Sequence, residues 1–245
     1  ERALDLDSEG QLVASVISKK IAAGSTHALI DLPVGITAKV RNQEYALKLA
    51  QQLESTGNAL GIHITCLFSD GQQPVGRGIG PALEARDILS VLQNKSKAPQ
   101  DLRERSIVIA GEILEMGGVA STNTGASHAA SILNSGKAWT KFQAICEAQG
   151  GMAIPPISEY THQVDSLQAG IVCYINNRLI SKLAKLAGAP SAPAAGIELQ
   201  VRLGDIIEVG SPLFILHAQT QGELQYAIEF LNTHPDGIKV EEEVL

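Results

Sequence analysis

With 245 residues, 44% of them hydrophobic, the chain is long enough to bury one large core or two modest ones. Its formal net charge of −7 and the scatter of its 19 lysines and arginines exclude nucleic acid and membrane surfaces as main partners, but leave room for an anionic small molecule. Three distant cysteines, Cys66, Cys146 and Cys173, form no C-x-x-C pair; they predict reduced, buried thiols in a cytoplasmic protein rather than a disulfide frame or a zinc site.

The first predicted element is a helix that runs from Asp7 to a stop at Gly24. Asp7 and Ser8 are good N-cap residues, and Leu12, Val16, Ile17 and Ile21 recur at helical steps as a buried stripe. Ser15 and Lys19, four residues apart, share the face beside it. His27 to Gly35 reads as a buried strand, Asn42 to Leu60 as a helix with Tyr45, Leu49, Leu53 and Leu60 along one face, and Gly61 to Asp70 as a second strand. Strand, helix and strand at this spacing predict a right-handed βαβ unit with parallel strands. Ligands gather at the carboxyl ends of such strands, so Asp31, Lys39 and Arg41 stand where polar groups can act.

Gly76, Gly78 and Gly80 then occur in a G-x-G-x-G run six residues beyond the strand. A dinucleotide fingerprint needs different spacing directly after a strand, so the run is read as a glycine-rich turn that leads into a helix at Pro81. From Pro99 to Gly150 three helices follow, the second opened by a Thr124 cap, and His128 is expected to be a satisfied, partly buried histidine. Pro155-Pro156 marks a change of composition. Beyond it, short β-like runs at 170–175, 196–201, 213–218 and 237–240 alternate with helices over 177–187 and 222–232, and 205–212 reads as a strand and turn. The fold class is therefore α/β: a central parallel or mixed sheet flanked by helices, with an α+β C-terminal subdomain.

Several motifs resemble one family when taken together in order. They are Asp7-x7-Ser15-x3-Lys19-Lys20, Ile30-Asp31-x2-Val34-Gly35 and Gly78-x-Gly80-Pro-Ala-Leu-Glu84-Ala-Arg86. The family is that of the thymidine and AMP phosphorylases, nucleoside phosphorylases built from a helical domain and an α/β domain that close about a hinge. The resemblance covers nearly the whole chain as the C-terminal half of such an enzyme. Segment 4–12, Ala22-Ala-Gly-Ser-Thr-His27 and Gly76-Arg-Gly-Ile-Gly80-Pro bring the resemblance closer to the branch of AMP phosphorylases and "putative thymidine phosphorylases".

The resemblance implies a division into 1–24, a helix of the helical lid domain, 25–154, the α/β domain, and 155–245, the C-terminal α+β subdomain. It implies reversible phosphorolysis, in which phosphate attacks the anomeric carbon of a nucleoside or nucleotide to give sugar 1-phosphate and free base. Asp7 would be the proton donor to the leaving base, and Ser15 and Lys19 would contact the substrate. Lys39 falls where the AMP branch places a substrate-binding lysine. Inorganic phosphate is co-substrate, with no metal or organic cofactor, and the protein is expected to be a homodimer. The family's phosphate-binding loops would lie in an N-terminal portion upstream of Glu1, so residues 1–245 alone are expected not to turn over. Three alternatives stay open: phosphorolysis of AMP rather than a pyrimidine nucleoside, an anthranilate phosphoribosyltransferase, and a non-catalytic binding module that keeps the fold.

Overall fold

A computed structural model describes residues 9–241 of the chain. Helix α1 (Glu9–Ala22) buries Val13 and Ile17 and half-buries Leu12 and Val16, and Gly24, at φ 72°, turns the chain out of it. The buried stripe is thus rotated from the expected one: Val13 joins it, while Ile21 is 42% exposed because the last turn runs past the surface it packs on. The proposed caps Asp7 and Ser8 lie outside the described residues.

Strand β1 (His27–Val34), helix α2 (Gln43–Ala59) and strand β2 (His63–Asp70) form the expected βαβ unit, paired in parallel from His27↔His63 to Val34↔Asp70. Asn42 caps α2, its side-chain oxygen accepting the Tyr45 N–H at 2.8 Å. Ala46, Leu49 and Leu53 on this helix close a core with Val13, Ile17, Leu32, Ile62 and Ile64. Leu60 is not part of that face; it sits at the helix C-cap and is exposed.

A short strand β3 (Gly78–Ile79) leads into α3 (Pro81–Leu92), with Pro81 in the first turn, where its missing N–H costs nothing. Helices α4 (Gln100–Met116), α5 (Gly125–Asn134) and α6 (Lys137–Ala148) follow. α4 and α5 approach so closely at Gly111 and Gly125 that a side chain on either would meet the other's backbone. Thr124 precedes α5 but its hydroxyl donates to Ser121 O instead of capping the helix, and His128 is exposed rather than partly buried.

The remaining chain builds two antiparallel sheets. Its elements are β4 (Tyr160–Asp165), β5 (Gly170–Ile175), α7 (Asn177–Leu186), β6 (Gly196–Leu199), β7 (Ile206–Ile207), β8 (Pro212–Ala218), α8 (Gln221–Thr233) and β9 (Ile238–Glu241). One sheet has the order β3-β6-β8-β4 and the other β7-β5-β9. Ile175, Ile180, Leu183, Ile197 and Leu216 are fully buried between them and the two helices. Strand β4 is hidden from hydrophobic patterning: in Tyr-Thr-His-Gln-Val-Asp only Tyr160 and Val164 are half-buried, because it is an edge strand whose other side chains are exposed. The architecture is mixed α/β, as expected, with its strands distributed over three sheets among the described residues. No helix there is long and apolar enough to cross a membrane. The three cysteines are free, but only half-buried at Cys66 and Cys146, and Cys173 is exposed.

Candidate functional site

A cavity of about 480 Å³ opens at the carboxyl ends of β1 and β2. Parallel strands end there, Val34 is bridged in parallel by Val40 of the following loop, and polar groups near the strand ends can reach the space beyond them. Asp31, Lys39, Asp70 and Gln73 line it from these strands and loops, Leu12 and Val16 from α1, Arg105 from α4, and Asn177 and Ser181 from α7.

The polar groups of its wall are tied together. Asp31 accepts hydrogen bonds from the Ser69 hydroxyl (2.5 Å) and from Arg105 Nε (3.1 Å) and Nη2 (2.5 Å). Arg105 also donates to the Asp70 carbonyl at 3.0 Å and to the Ser69 hydroxyl. A forked guanidinium suits this because it reaches several acceptors while neutralising one partly buried carboxylate. Lys39 sits in a tight turn closed by Gly35 N–H to Val40 O (3.0 Å) and Ala38 N–H to Gly35 O (2.9 Å). Gly35 backs onto the carbonyl group of Gly71 with no room for a side chain.

The glycine-rich turn borders the cavity without opening its amides to it. Asp87 Oδ2 accepts from the N–H groups of Arg77 (2.7 Å) and Gly78 (2.8 Å), and Asp101 Oδ2 accepts from Gly76 N–H at 2.9 Å. Arg202, in the loop after β6, pairs with Asp101 and donates to the carbonyls of Pro74 (2.7 Å) and Gly76 (2.8 Å). The expected reading as a structural turn into a helix therefore holds, and two carboxylates and one arginine fix it from outside the segment.

Farther away, buried His217 bridges Ser158, whose hydroxyl lies 2.8 Å from Nδ1, and Glu198, 3.5 Å from Nε2. The imidazole holds the Glu198 carboxyl below the usual carboxylate range, first through its hydrogen bond and then by charge, and Arg77 and Arg86 add to the effect against burial. At 3.5 Å that contact stands at the long limit of a hydrogen bond.

Of the residues singled out in the sequence, Lys39 and Asp31 line the cavity. Ser15 and Lys19 are exposed on α1, three residues along from the cavity-lining Leu12 and Val16, on the flank of the helix beyond them. Asp7 lies outside the described residues, and Arg41 is exposed and does not line the cavity. Sequence reasoning missed Arg105, Asn177 and Ser181, because each lies in an ordinary amphipathic helix and enters the cavity only through the packing of distant elements. Among the described residues no three His, Cys, Asp or Glu side chains gather in a metal-binding group.

An α/β unit with a largely apolar cavity at its strand ends that carries a few tied polar groups, joined to antiparallel sheets, is the class of protein these features define, and residues 171–235 match the pyrimidine nucleoside phosphorylase C-terminal domain. "Putative thymidine phosphorylase" of Hahella chejuensis is 58% identical over 245 residues, all of this chain and 48% of that protein. "Putative thymidine phosphorylase 1" of Acidovorax sp. is 56% identical over 99% of this chain and 48% of its own length, and "Putative thymidine phosphorylase" of Legionella pneumophila is 55% identical over 96% and 46%. The domain match and these relatives support the thymidine phosphorylase family for the chain, which spans about half the length of the curated relatives it matches.

Proposed function

We propose that this chain supplies the base- and sugar-binding half of a pentosyltransferase that phosphorolyses a pyrimidine nucleoside to free base and (deoxy)ribose 1-phosphate. The observation that carries the reading is the similarity of the chain, over 96% to 100% of its length, to proteins named "Putative thymidine phosphorylase". In this reading residues 1–24 belong to the lid domain, 25–154 to the α/β domain and 155–245 to a C-terminal subdomain of a cytoplasmic homodimer. The phosphate-binding loops lie in an N-terminal portion of the same protein.

The chemistry follows from the charges involved. A departing base carries negative charge, and Asp7 as general acid would protonate it, an effect typically worth about 10²–10⁴ in rate. Asp7 must hold its proton near neutrality, which desolvation on cleft closure provides. Ser15 and Lys19, on the α1 flank next to Leu12 and Val16, would contact base or sugar across the closing cleft. Orientation of substrate and phosphate in a water-poor site supplies the rest of the barrier reduction.

A nucleoside 5′-monophosphate as substrate is the second reading, favoured by Lys39 at the cavity wall, where an ammonium can hold a phosphate as a point charge. Phosphate-dependent base release by the full-length protein from thymidine, uridine, AMP and CMP tests both. Preference for thymidine supports the first reading. Preference for a monophosphate, lost in Lys39→Ala while nucleoside affinity remains, supports the second. No release from any of the four rejects both and leaves a binding module.

A further inference from the structure

The turn that carries Lys39 is seated on the C-terminal part of the chain at one point. Thr37, two residues before the lysine, is buried, and its hydroxyl faces the start of α7. Its Oγ accepts the Asn177 N–H at 3.2 Å and donates to Ile175 O at 3.5 Å, across separations of 140 and 138 residues. The Asn177 side chain reaches the neighbouring loop, donating from Nδ2 to the Gly71 carbonyl at 2.8 Å. Gly35 and Gly71 abut, so the two strand-end loops and the first turn of α7 form one joint. Asn177 also lines the cavity with Lys39, and its buried Oδ1 has no hydrogen-bond partner among the described residues. The side chain is thus held by a single bond, the one to Gly71.

Such a joint has a consequence for Lys39. A lysine has a flexible stem, so a short turn places its ammonium only if the turn itself is fixed. The turn's own backbone bonds set its shape, whereas Thr37 and Asn177 set its orientation against the cavity. We propose that Thr37 and Asn177 are positioning residues that latch the Lys39 turn to the β5–α7 junction, so that the C-terminal subdomain sets the enzyme's discrimination for a 5′-phosphorylated substrate. The inference rests on the monophosphate reading of Lys39.

The test measures, for the full-length protein, kcat/KM for a nucleoside 5′-monophosphate divided by kcat/KM for the same nucleoside. Thr37→Val keeps the size of the side chain and removes the hydroxyl, leaving the Asn177 N–H without its acceptor. The ratio is expected to fall about tenfold, mainly through KM of the monophosphate, because displacement of a positioned charge by a fraction of an ångström is costly. Thr37→Ser, which restores the hydroxyl, should recover most of the ratio, and Asn177→Ala should lower it to an intermediate value. Lys39→Ala is the control for the underlying reading. If it leaves the ratio unchanged, that reading fails and the latch with it. If Lys39→Ala collapses the ratio but Thr37→Val does not, the latch alone is overturned. Equal losses for both substrates in Thr37→Val, or failure of Thr37→Ser to recover the ratio, would likewise reduce Thr37 to a structural residue and overturn the proposal.

Discussion

Replacing Arg105 with alanine would strip the carboxyl ends of β1 and β2 of four hydrogen bonds, two to Asp31 and one each to Ser69 and Asp70. Asp31, 24% exposed with Arg105 in place, would keep the Ser69 hydroxyl as its donor. Orphaning one member of a fully buried pair costs about 3–5 kcal/mol, and an exposed pair contributes about 0–1. With Arg105 at 17% and Asp31 at 24% exposure the pair lies nearer the buried limit, and we expect a loss of about 2–3 kcal/mol. That corresponds to a fall in Tm of roughly 5–10 °C for a domain of this size. Asp31→Asn, which keeps the shape and loses the charge, should cost about 1–2 kcal/mol. Chemical denaturation of the full-length protein and of Arg105→Ala, Asp31→Ala and the double variant gives the coupling directly, expected at about 1–2 kcal/mol. A coupling indistinguishable from zero, or an Arg105→Ala variant within about 0.5 kcal/mol of wild type, would refute the argument that this pair holds the cavity wall.

Gly35→Ala should destabilise the protein by about 1–3 kcal/mol, since the added methyl meets the Gly71 carbonyl and Gln72 N, the latter at 2.7 Å, and neither backbone can yield cheaply; a Tm equal to wild type would show that the loops part freely. Burial, and then the neighbouring charge of Glu54, pushes the Cys66 thiol from 9.0 up to about 12. The folded pKa is raised, so Cys66 contributes stability that is complete below pH 9.0 and lost as pH climbs towards 12; Cys66→Ala should flatten this alkaline loss in denaturation profiles. Glu198 has the opposite sign: its folded pKa is lowered, so its contribution is present above its ordinary 4.5 and disappears as pH falls through the lowered value. Wild type and Glu198→Gln should therefore differ most above pH 4.5 and converge in acid, and a constant gap down to low pH would remove the role given to His217.

The sequence by itself determined the elements whose signal is local. Apolar runs bounded by glycine and proline marked β1 and β2, the side chain of Asn42 marked the start of α2, and their spacing required parallel pairing, because a crossover helix admits little else. Pro81 and the glycines before it marked a turn into a helix, and the ordered motifs pointed to the family. Polar alternation at an edge concealed β4, and a buried stripe could not be told from its neighbour one step around α1 until the packing surface existed.

The cavity was only half legible. Asp31, towards the carboxyl end of a strand, and Lys39, in the loop after it, followed from their place, but Arg105, Asn177 and Ser181 did not, because nothing in a helical sequence records which distant loop its residues will meet. Thr37 reads as one more loop threonine until Asn177, 140 residues later, is folded against it. Local propensity and periodicity are written in neighbouring residues, whereas a site is assembled by long-range packing, and there only the tertiary structure decides.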